Sequence, residues 1–466
     1  MLPSREMNLA DLLPGAPSVA VSSLAYDSRD VTPGSAFFCV RGFQVDGHDF
    51  APDAVARGAA AVVVERPLGL DVPEVVVTSV RAAMPPAAAR FYGDPSAALQ
   101  LVGITGTNGK TTTAHLLREM VAAGGAPCGM IGTVKTVIAG EERAGVRTTP
   151  EAIDVQRDLR AMVDGGDRAC AMEVSSVGLA LHRTDALHFA AAVFTNLSPD
   201  HLDFHETMDA YFETKRALFA RVSPERAILN VDDEHGRRLA DELPEASTYA
   251  IERDADVRAL EVRLDDHGAR LRVDTPDAVL ALRSPLAGRF NVSNVLAAVA
   301  AARALGVPGE AIAEAVAQGG RVPGRLEAIE EGQPFAVVVD YAHSPDSVAQ
   351  ALGVLRERTT GRLICVLGAT GPRFAATRAD MGARAGALAD HLIVSSDNPG
   401  LEDLDAIRDI LAGAGPGPEA IDDRSAAIEH AVELAQRSDT VAILAGELPI
   451  QDAEIARHAL RARGHR

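Results

Sequence analysis

One segment constrains the fold of this chain more than any other. Gly103-Ile104-Thr105-Gly106-Thr107-Asn108-Gly109-Lys110-Thr111-Thr112 lies between a buried-strand pattern, Leu101 to Ile104, and a helix-like stretch, Thr112 to Ala123. A strand that turns through glycines into a helix belongs to an α/β sheet with helices on its faces. It is also the setting a phosphate loop needs. Glycines let backbone N–H groups approach phosphate oxygens, Lys110 supplies a point charge, and Thr111 can reach Mg²⁺. Gly106, Thr107, Asn108, Gly109 and Thr112 complete the loop. The spacing is not the strict GxxxxGK[ST] pattern: Ile104 stands where that pattern wants glycine, and Gly103 comes one residue early. A glycine-rich turn without a ligand is the plainer alternative, but it leaves the lysine unexplained.

That lysine is rare. Of the 45 basic residues only Lys110, Lys135 and Lys215 are lysine. Arginine stays protonated, whereas a lysine amine can lose its proton and react. A lysine kept against such a bias is a candidate for chemistry that arginine cannot do. The bland alternative is chance survival on the surface.

At 466 residues the chain is long enough for about three domains. The expected units are 1–98, 99–320 and 321–466, each α/β. In the first, the strand-like runs are 36–40, 60–64 and 75–77, with a helix over 53–58. The second has buried strands over 169–174 and 190–195 and an Ala-rich helix over 294–305. The third has strands over 336–339, 363–367, 392–394 and 441–444, separated by helices, which predicts a parallel sheet. The formal net charge of −20 argues against a nucleic-acid binder. No apolar stretch approaches the about 18–20 residues that cross a bilayer, and the first residues carry no signal pattern. Cys39, Cys128, Cys170 and Cys365 have no metal or disulfide spacing and read as core residues in a reducing compartment. A soluble cytoplasmic protein is the expectation.

Two further segments carry candidate chemistry. Met172-Glu173-Val174-Ser175-Ser176 puts a carboxylate at a buried strand end, a costly place unless it is paired or holds a metal. A structural salt bridge is the alternative there. Phe194-Thr195-Asn196-Leu197-Ser198-Pro199-Asp200-His201-Leu202-Asp203 clusters a histidine with two carboxylates beyond another strand end. Taken with Glu173 on a neighbouring strand, His201 is a candidate metal ligand. A helix over 208–219 would present Lys215 on a face with Tyr211 and Leu218; a solvated helix lysine is the alternative.

Together these residues resemble the Mur ligase family over nearly the whole chain. Matching elements are Asp27-Ser28-Arg29, the phosphate loop, Thr148-Thr149-Pro150, Glu173-Val174-Ser175-Ser176, the block 196–203 and Lys215. After these come Gly288-Arg289-Phe290-Asn291-Val292-Ser293-Asn294, Pro323-Gly324-Arg325, the block 340–346 with Asp340 and His343, and Asp397-Asn398-Pro399. The similarity is greatest to the branch that adds a diamino acid to UDP-N-acetylmuramoyl-L-Ala-D-Glu. It implies three domains: a small N-terminal domain for the UDP-substrate, a central ATP-binding phosphate-loop domain and a C-terminal Rossmann-like domain for the acceptor. It implies an ADP-forming carboxylate–amine ligase acting through an acyl phosphate.

The resemblance also implies roles. Lys110 would hold the β/γ-phosphates, Thr111 and Glu173 one Mg²⁺, and His201 would help hold a second. Lys215 would be carbamylated by CO₂. Asn291 and Asn294 would lie by the base, Arg325 by the phosphates, Asp340 at the ribose and His343 near the nucleotide. Ser28, Thr148, Thr149, Ser175 and Arg183 would contact the UDP-sugar-peptide, while Arg373, Asp397 and Asn398 belong to the acceptor side. Small-molecule substrates and a monomer are implied, with neither nucleic acid nor membrane as a partner.

The acceptor side departs from the family. Asp-Asn-Pro-Arg appears as Asp397-Asn398-Pro399-Gly400, and Gly-Lys-Gly-His-Glu as Gly446-Glu447-Leu448-Pro449-Ile450. Val177, Leu181 and Phe43 also replace polar family residues. Losing a bidentate arginine contact is not conservative. Three readings follow: a peptidoglycan ligase with drifted pockets, the same engine recruited to another amide in specialised metabolism, and a nucleotide-binding subunit without ligase activity.

Overall fold

The computed structural model describes residues 6–43, 45–265, 268–319, 322–369, 377–396, 405–415, 417–444 and 449–464. Among these, the strands form four sheets. The two smaller ones lie at the start of the chain. One is a ribbon of Met7–Asn8 with Ala20–Val21. The other is parallel, in the order Ser23–Ala25, Ser35–Phe38, Ala61–Val64 and Glu74–Val76. Helix Val80–Tyr92 packs on it through Val80, Met84 and Phe91, in a cluster that also takes in Ala152 and Ile153. Those two residues open helix Ala152–Asp164, so the first part of the chain is docked on the second. Tyr26 reinforces the joint by donating to Asp154 Oδ2 at 2.5 Å.

The largest sheet has eleven strands. Its parallel centre runs Cys128–Ile131, Ala169–Glu173, Gln100–Thr105, Ala191–Phe194, Ala227–Asn230, Ser247–Ala250 and Val257–Asp265. The inner strands, from Cys128–Ile131 to Ala227–Asn230, read as near-continuous apolar runs because both faces are covered. Val102, Ile104, Ala171 and Val193 meet helices Lys110–Ala123 and Arg289–Ala304 on one face. Leu101, Cys170, Met172 and Phe194 meet Val155, Leu159 and Phe212 on the other. Antiparallel strands extend both edges: Lys135–Ile138 and Glu141–Ala144 on one side, Gly268–Thr275 and Ala278–Ser284 on the other. Sequence reading did not identify these extensions. The signal was there in Gly268–Thr275, whose burial alternates along the strand.

The last sheet has six strands in the order Glu327–Ala328, Ala336–Asp340, Thr440–Leu444, Leu363–Ala369, His391–Ser396 and Glu419–Ala420. All its pairings are parallel except the first. The four strands anticipated for this region are therefore present.

Several helices begin earlier than expected, each for a local reason. Helix Ala51–Ala56 starts two residues before the anticipated Asp53, with proline in its first turn, where the missing N–H costs nothing. Helices Lys110–Ala123 and Arg289–Ala304 each follow a glycine at positive φ, Gly109 at 87° and Gly288 at 88°. Helix Met208–Arg216 stops short of Phe219, which enters a separate turn.

A buried ion pair fastens the last unit. Arg424 meets Asp452 at 3.2 and 2.7 Å and also donates to Ser395 Oγ and Leu444 O, both at 3.0 Å. It thereby joins two strand ends to helix Pro449–Gly464. Asp452→Ala would strand a buried guanidinium, so it should destabilise this unit by about 3–5 kcal/mol. The measurement is the urea midpoint of the corresponding unfolding transition.

Candidate active site

Three strands of the large sheet end level with one another. Glu173 is in register with Ile104, and Phe194 with Thr105. The loops that follow them therefore rise over one edge, where open α/β sheets take their ligands. One expectation is corrected here. The strands leading to Glu173 and His201 are not neighbours, because Gln100–Thr105 lies between them. The phosphate loop consequently sits in the middle, with the strand that ends in Glu173 on one side and the strand that leads to Asp200 and His201 on the other.

Side chains and backbone of the flanking loop hold the phosphate loop in shape. Thr195 Oγ1 and Asn196 Nδ2 donate to Asn108 O at 2.6 and 3.1 Å, and Asn108 N donates to Asn196 Oδ1 at 2.9 Å. Thr107 N donates to Asn196 O at 2.9 Å. Gly106 has φ +148°, and a Cβ there would lie 1.9 Å from Thr195 Oγ1. Gly109 opens helix Lys110–Ala123 with no side-chain cap. The first-turn N–H groups and the positive end of the helix dipole are thus offered to an anion. Thr112 is buried in that first turn.

Both rare lysines of this region converge on one atom. Lys110 Nζ donates to Gly106 O at 2.9 Å and Thr107 O at 2.8 Å, and Lys215 Nζ donates to Gly106 O at 2.9 Å. Lys215 is only 1% exposed, so it is not a solvated helix lysine. Its amine lies 4.4 Å from the Tyr211 ring centroid, and His205 stacks on the same ring at 4.9 Å. Burial, reinforced by Lys110, holds the Lys215 amine well below the usual lysine range. Burial lowers Lys110 too, against the pull of Glu173 and Asp200.

Glu173 is fully buried. Its carboxylate accepts from Thr111 Oγ1 at 2.9 Å, from Thr133 N at 2.8 Å and from Thr133 Oγ1 at 3.1 Å. The structural salt bridge weighed as an alternative is not what holds it: the partners are hydroxyls and an amide. Asp200 lies beside His201, which has φ 52°. Burial opposes the Asp200 charge, yet His201, His343 and Lys110 keep its carboxyl below the ordinary range. His343, in the last third of the chain, is thereby brought to the phosphate-loop edge, and burial lowers its pKa.

Next to this set is a cleft lined by Asn108, Gly109, Thr111, Thr112, Phe290, Asn291, Asn294, Arg325, Asp340, Ser347 and Gln350. Arg325 donates to Thr111 Oγ1 at 3.0 Å and its guanidinium lies 4.6 Å from the Tyr341 ring centroid. Asn294 Nδ2 donates to Asn291 Oδ1 at 3.0 Å. Asp340 accepts from the amides of Leu326 and Ala342; burial raises its carboxyl despite them and Arg325.

On the opposite side of Glu173 is a second network. Thr133 Oγ1, whose proton goes to Glu173, lies 3.0 Å from Thr148 Oγ1 and can accept from it. Thr149 Oγ1 donates to Glu173 O at 2.9 Å, accepts from Ser175 N at 2.9 Å and lies 3.1 Å from Ser175 Oγ. Arg183 donates to Thr149 O at 3.0 Å and pairs with Glu151 at 2.8 Å. Arg81 and Arg147 also pair with the buried Glu151, each at 3.3 Å. Ser28 lies in the N-terminal part, heading the turn Ser28–Asp30 that Asp27 caps. Arg373, Asp397, Asn398, Gly400 and Glu447 lie outside the described residues.

Sequence reading did not single out Thr133 or Glu151. Thr133 has no local signal, being one threonine after a short strand. Glu151 had a faint one, the i,i+4 spacing from Arg147.

Comparison with known proteins agrees with this geometry. Three family models match the chain: Mur ligase family, catalytic domain, over residues 20–92; Mur ligase middle domain over 104–302; and Mur ligase, glutamate ligase domain, over 324–446. A UDP-N-acetylmuramoyl-L-alanyl-D-glutamate--2,6-diaminopimelate ligase of Geobacillus thermodenitrificans is 44% identical over 437 residues, covering 91% of this chain and 89% of the relative. The protein of the same name from Streptomyces coelicolor is 42% identical, covering 95% and 93%. A solved structure of a ligase of that name superposes with a TM-score of 0.68 at 30% identity, covering 99% of this chain and 100% of that one. With its phosphate loop, paired lysines and three matched segments, the chain belongs to the Mur ligase family of ATP-dependent, ADP-forming amide ligases.

Proposed function

We propose that this ligase activates the free carboxylate of UDP-N-acetylmuramoyl-L-alanyl-D-glutamate and joins it to an amino acid. The observation that carries this reading is the double attachment of Glu173. Its carboxylate is hydrogen-bonded to Thr111 of the phosphate loop and, through Thr133, to Thr148 on the side of Thr149, Ser175 and Arg183. A nucleotide site and a site for an anionic donor therefore meet at one residue. The relatives' names supply the donor.

In this reading the sequence divides at 98/99 and 320/321, and each unit has one task. Residues 1–98, with Ser28, hold the UDP end. Residues 99–320 hold ATP and the reacting carboxylate, and residues 321–466 bring the amine. Asn291, Asn294, Arg325, Asp340 and His343 position the nucleotide, while Gly106 to Thr112 cradle its phosphates. Four buried, unpaired cysteines support a cytoplasmic location.

The donor set suits Mg²⁺. Thr111 Oγ1 and the Glu173 carboxylate are hard oxygen ligands at the rim of the phosphate loop. Thr111 and Glu173 would hold one ion, and His201 with a modified Lys215 a second. Bound there, Mg²⁺ supplies neutralisation of phosphate charge. Lys215 also suits carbamylation, because its buried amine disfavours the proton and the neutral amine is the form that adds to CO₂. The product would be an anion and a metal ligand.

The chemistry proceeds in two displacements. A donor carboxylate oxygen attacks the γ-phosphorus, and the bridging oxygen leaves with ADP. The acceptor nitrogen then attacks the acyl carbon, loses its proton, and inorganic phosphate leaves. Lys110 and the first-turn amides are placed to meet charge spreading over the transferred group. Closure of the outer units would align the nucleophile and exclude water.

A second reading rests on the acceptor side. Gly400 and Glu447-Leu448-Pro449-Ile450 remove both groups expected to grip diaminopimelate, which favours a less polar acceptor. ADP release with Mg-ATP, bicarbonate and the UDP-muramoyl dipeptide, across amines including diaminopimelate, lysine and ornithine, separates the two. Turnover with one diamino acid is expected from a cell-wall enzyme. ATP binding without ADP release for any of them would favour recruitment to another amide. Lys215→Ala should abolish turnover, with partial rescue by a short free carboxylate; undiminished activity would remove the carbamate. Gly106→Ala should push Thr195 off Asn108 and lower turnover about a hundredfold, measured by the same ADP assay.

A further inference from the structure

A cluster of ligating side chains lies apart from the catalytic edge. Strand His391–Ser396 pairs in parallel with the edge strand Glu419–Ala420, with Ile393 opposite Glu419. Helix Arg424–Leu434 follows and carries His430. These three elements bring His391, Glu419 and His430 together. His430 Nε2 is 3.0 Å from Glu419 Oε2, and His391 Nε2 is 3.4 Å from Glu419 Oε1. One ligating atom from each residue lies within 4.8 Å of the other two.

We propose that His391, Glu419 and His430 form a binding site for a divalent transition ion, Zn²⁺ in the first instance. Metal–ligand bonds of about 2.0–2.1 Å in a tetrahedron set neighbouring ligand atoms about 3.3–3.4 Å apart. The His391–Glu419 separation of 3.4 Å matches that edge, and the His430–Glu419 separation of 3.0 Å, to the other oxygen of the same carboxylate, is a little shorter. The donor set also selects the ion. Two imidazoles with one carboxylate suit Zn²⁺, whereas Mg²⁺ and Ca²⁺ require oxygen.

A plain hydrogen-bonded triad accounts for only part of the cluster. The His430–Glu419 contact is a hydrogen bond, but His391 Nε2 is screened from water and has no hydrogen-bond partner among the described residues. A buried ring nitrogen left unsatisfied calls for a partner. An ion between His391 and Glu419 would use that nitrogen and the facing carboxylate oxygen together.

The position defines what the ion would do. His391 opens its strand, whereas Asp340 closes the strand Ala336–Asp340. The cluster is therefore at the end of the sheet away from the nucleotide cleft. Its ligands come from an interior strand, a two-residue edge strand and the next helix. A bound ion would clamp that short edge, with water in the remaining coordination position.

The test uses the full chain, stripped of metal and dialysed against ZnCl₂ in saturating Mg²⁺, which keeps oxygen-lined sites filled. The wild type should retain one zinc per chain and show a zinc-dependent rise in thermal midpoint. His391→Ala and His430→Ala should each weaken retention by about a hundredfold or more, lose the thermal response, and keep the metal-free midpoint and Mg-dependent ADP release. Absence of zinc in the wild type, or equal zinc in wild type and variants, would overturn the site. Should the variants fold poorly, the visible spectrum of the wild-type Co²⁺ form decides. Strong tetrahedral bands support the site, and only weak octahedral bands reject it.

Discussion

Two amines from distant parts of the chain share one carbonyl oxygen, that of Gly106. A neutral carbonyl cannot compensate two positive charges, and the pocket around Lys215 is closed to water. Burial and the neighbouring Lys110 together oppose protonation of Lys215, while at Lys110 burial works against the pull of Glu173 and Asp200. Much of the surrounding architecture serves this arrangement. Position 106 has to be glycine, because Thr195 occupies the space a Cβ would need. Helix Met208–Arg216 has to present Tyr211 and Lys215 one turn apart, on its buried side. Arginine could not take the place of Lys215, since it would keep its charge.

Glu173 organises the other half of the site. It closes a strand next to the phosphate-loop strand, and four hydrogen-bonding groups from three segments are tied to it or to its carbonyl. A fully buried carboxylate satisfied by hydroxyls and an amide stays ready to exchange those partners for a cation. The same residue keeps the nucleotide cleft and the Thr148–Arg183 network a fixed distance apart. In the proposed reading, the spacing of the two reactants follows from the strand register that fixes Glu173.

How much of this was legible in the sequence varied with the physical cause. The phosphate loop and the level strand ends could be read because a buried parallel strand has an unbroken apolar signature that stops where polar chemistry begins. Lys215 stood out only through composition; its burial needed the fold. The order of the central strands was not readable. Adjacency in a parallel sheet is set by crossovers, and Glu173 was wrongly placed beside the strand leading to His201. The hairpin extensions went unnoticed because half of their residues face solvent and dilute the apolar pattern. Thr133 acts through geometry alone, and a single threonine carries no signature.

The cluster around Glu151 has a consequence for how such a pocket can change over evolutionary time. One buried carboxylate neutralises part of the charge of three arginines, two of them largely buried themselves. Replacing Glu151 would take the shared counter-charge from all three, whereas loss of the half-exposed Arg147 would leave the carboxylate two partners. The constraint therefore falls on the carboxylate first and on the two buried arginines next, with Arg147 the least bound of the four. A shared buried counter-charge thus makes tolerance to substitution unequal among residues that touch one another: the hub is locked, and its most exposed spoke is the first that can be lost.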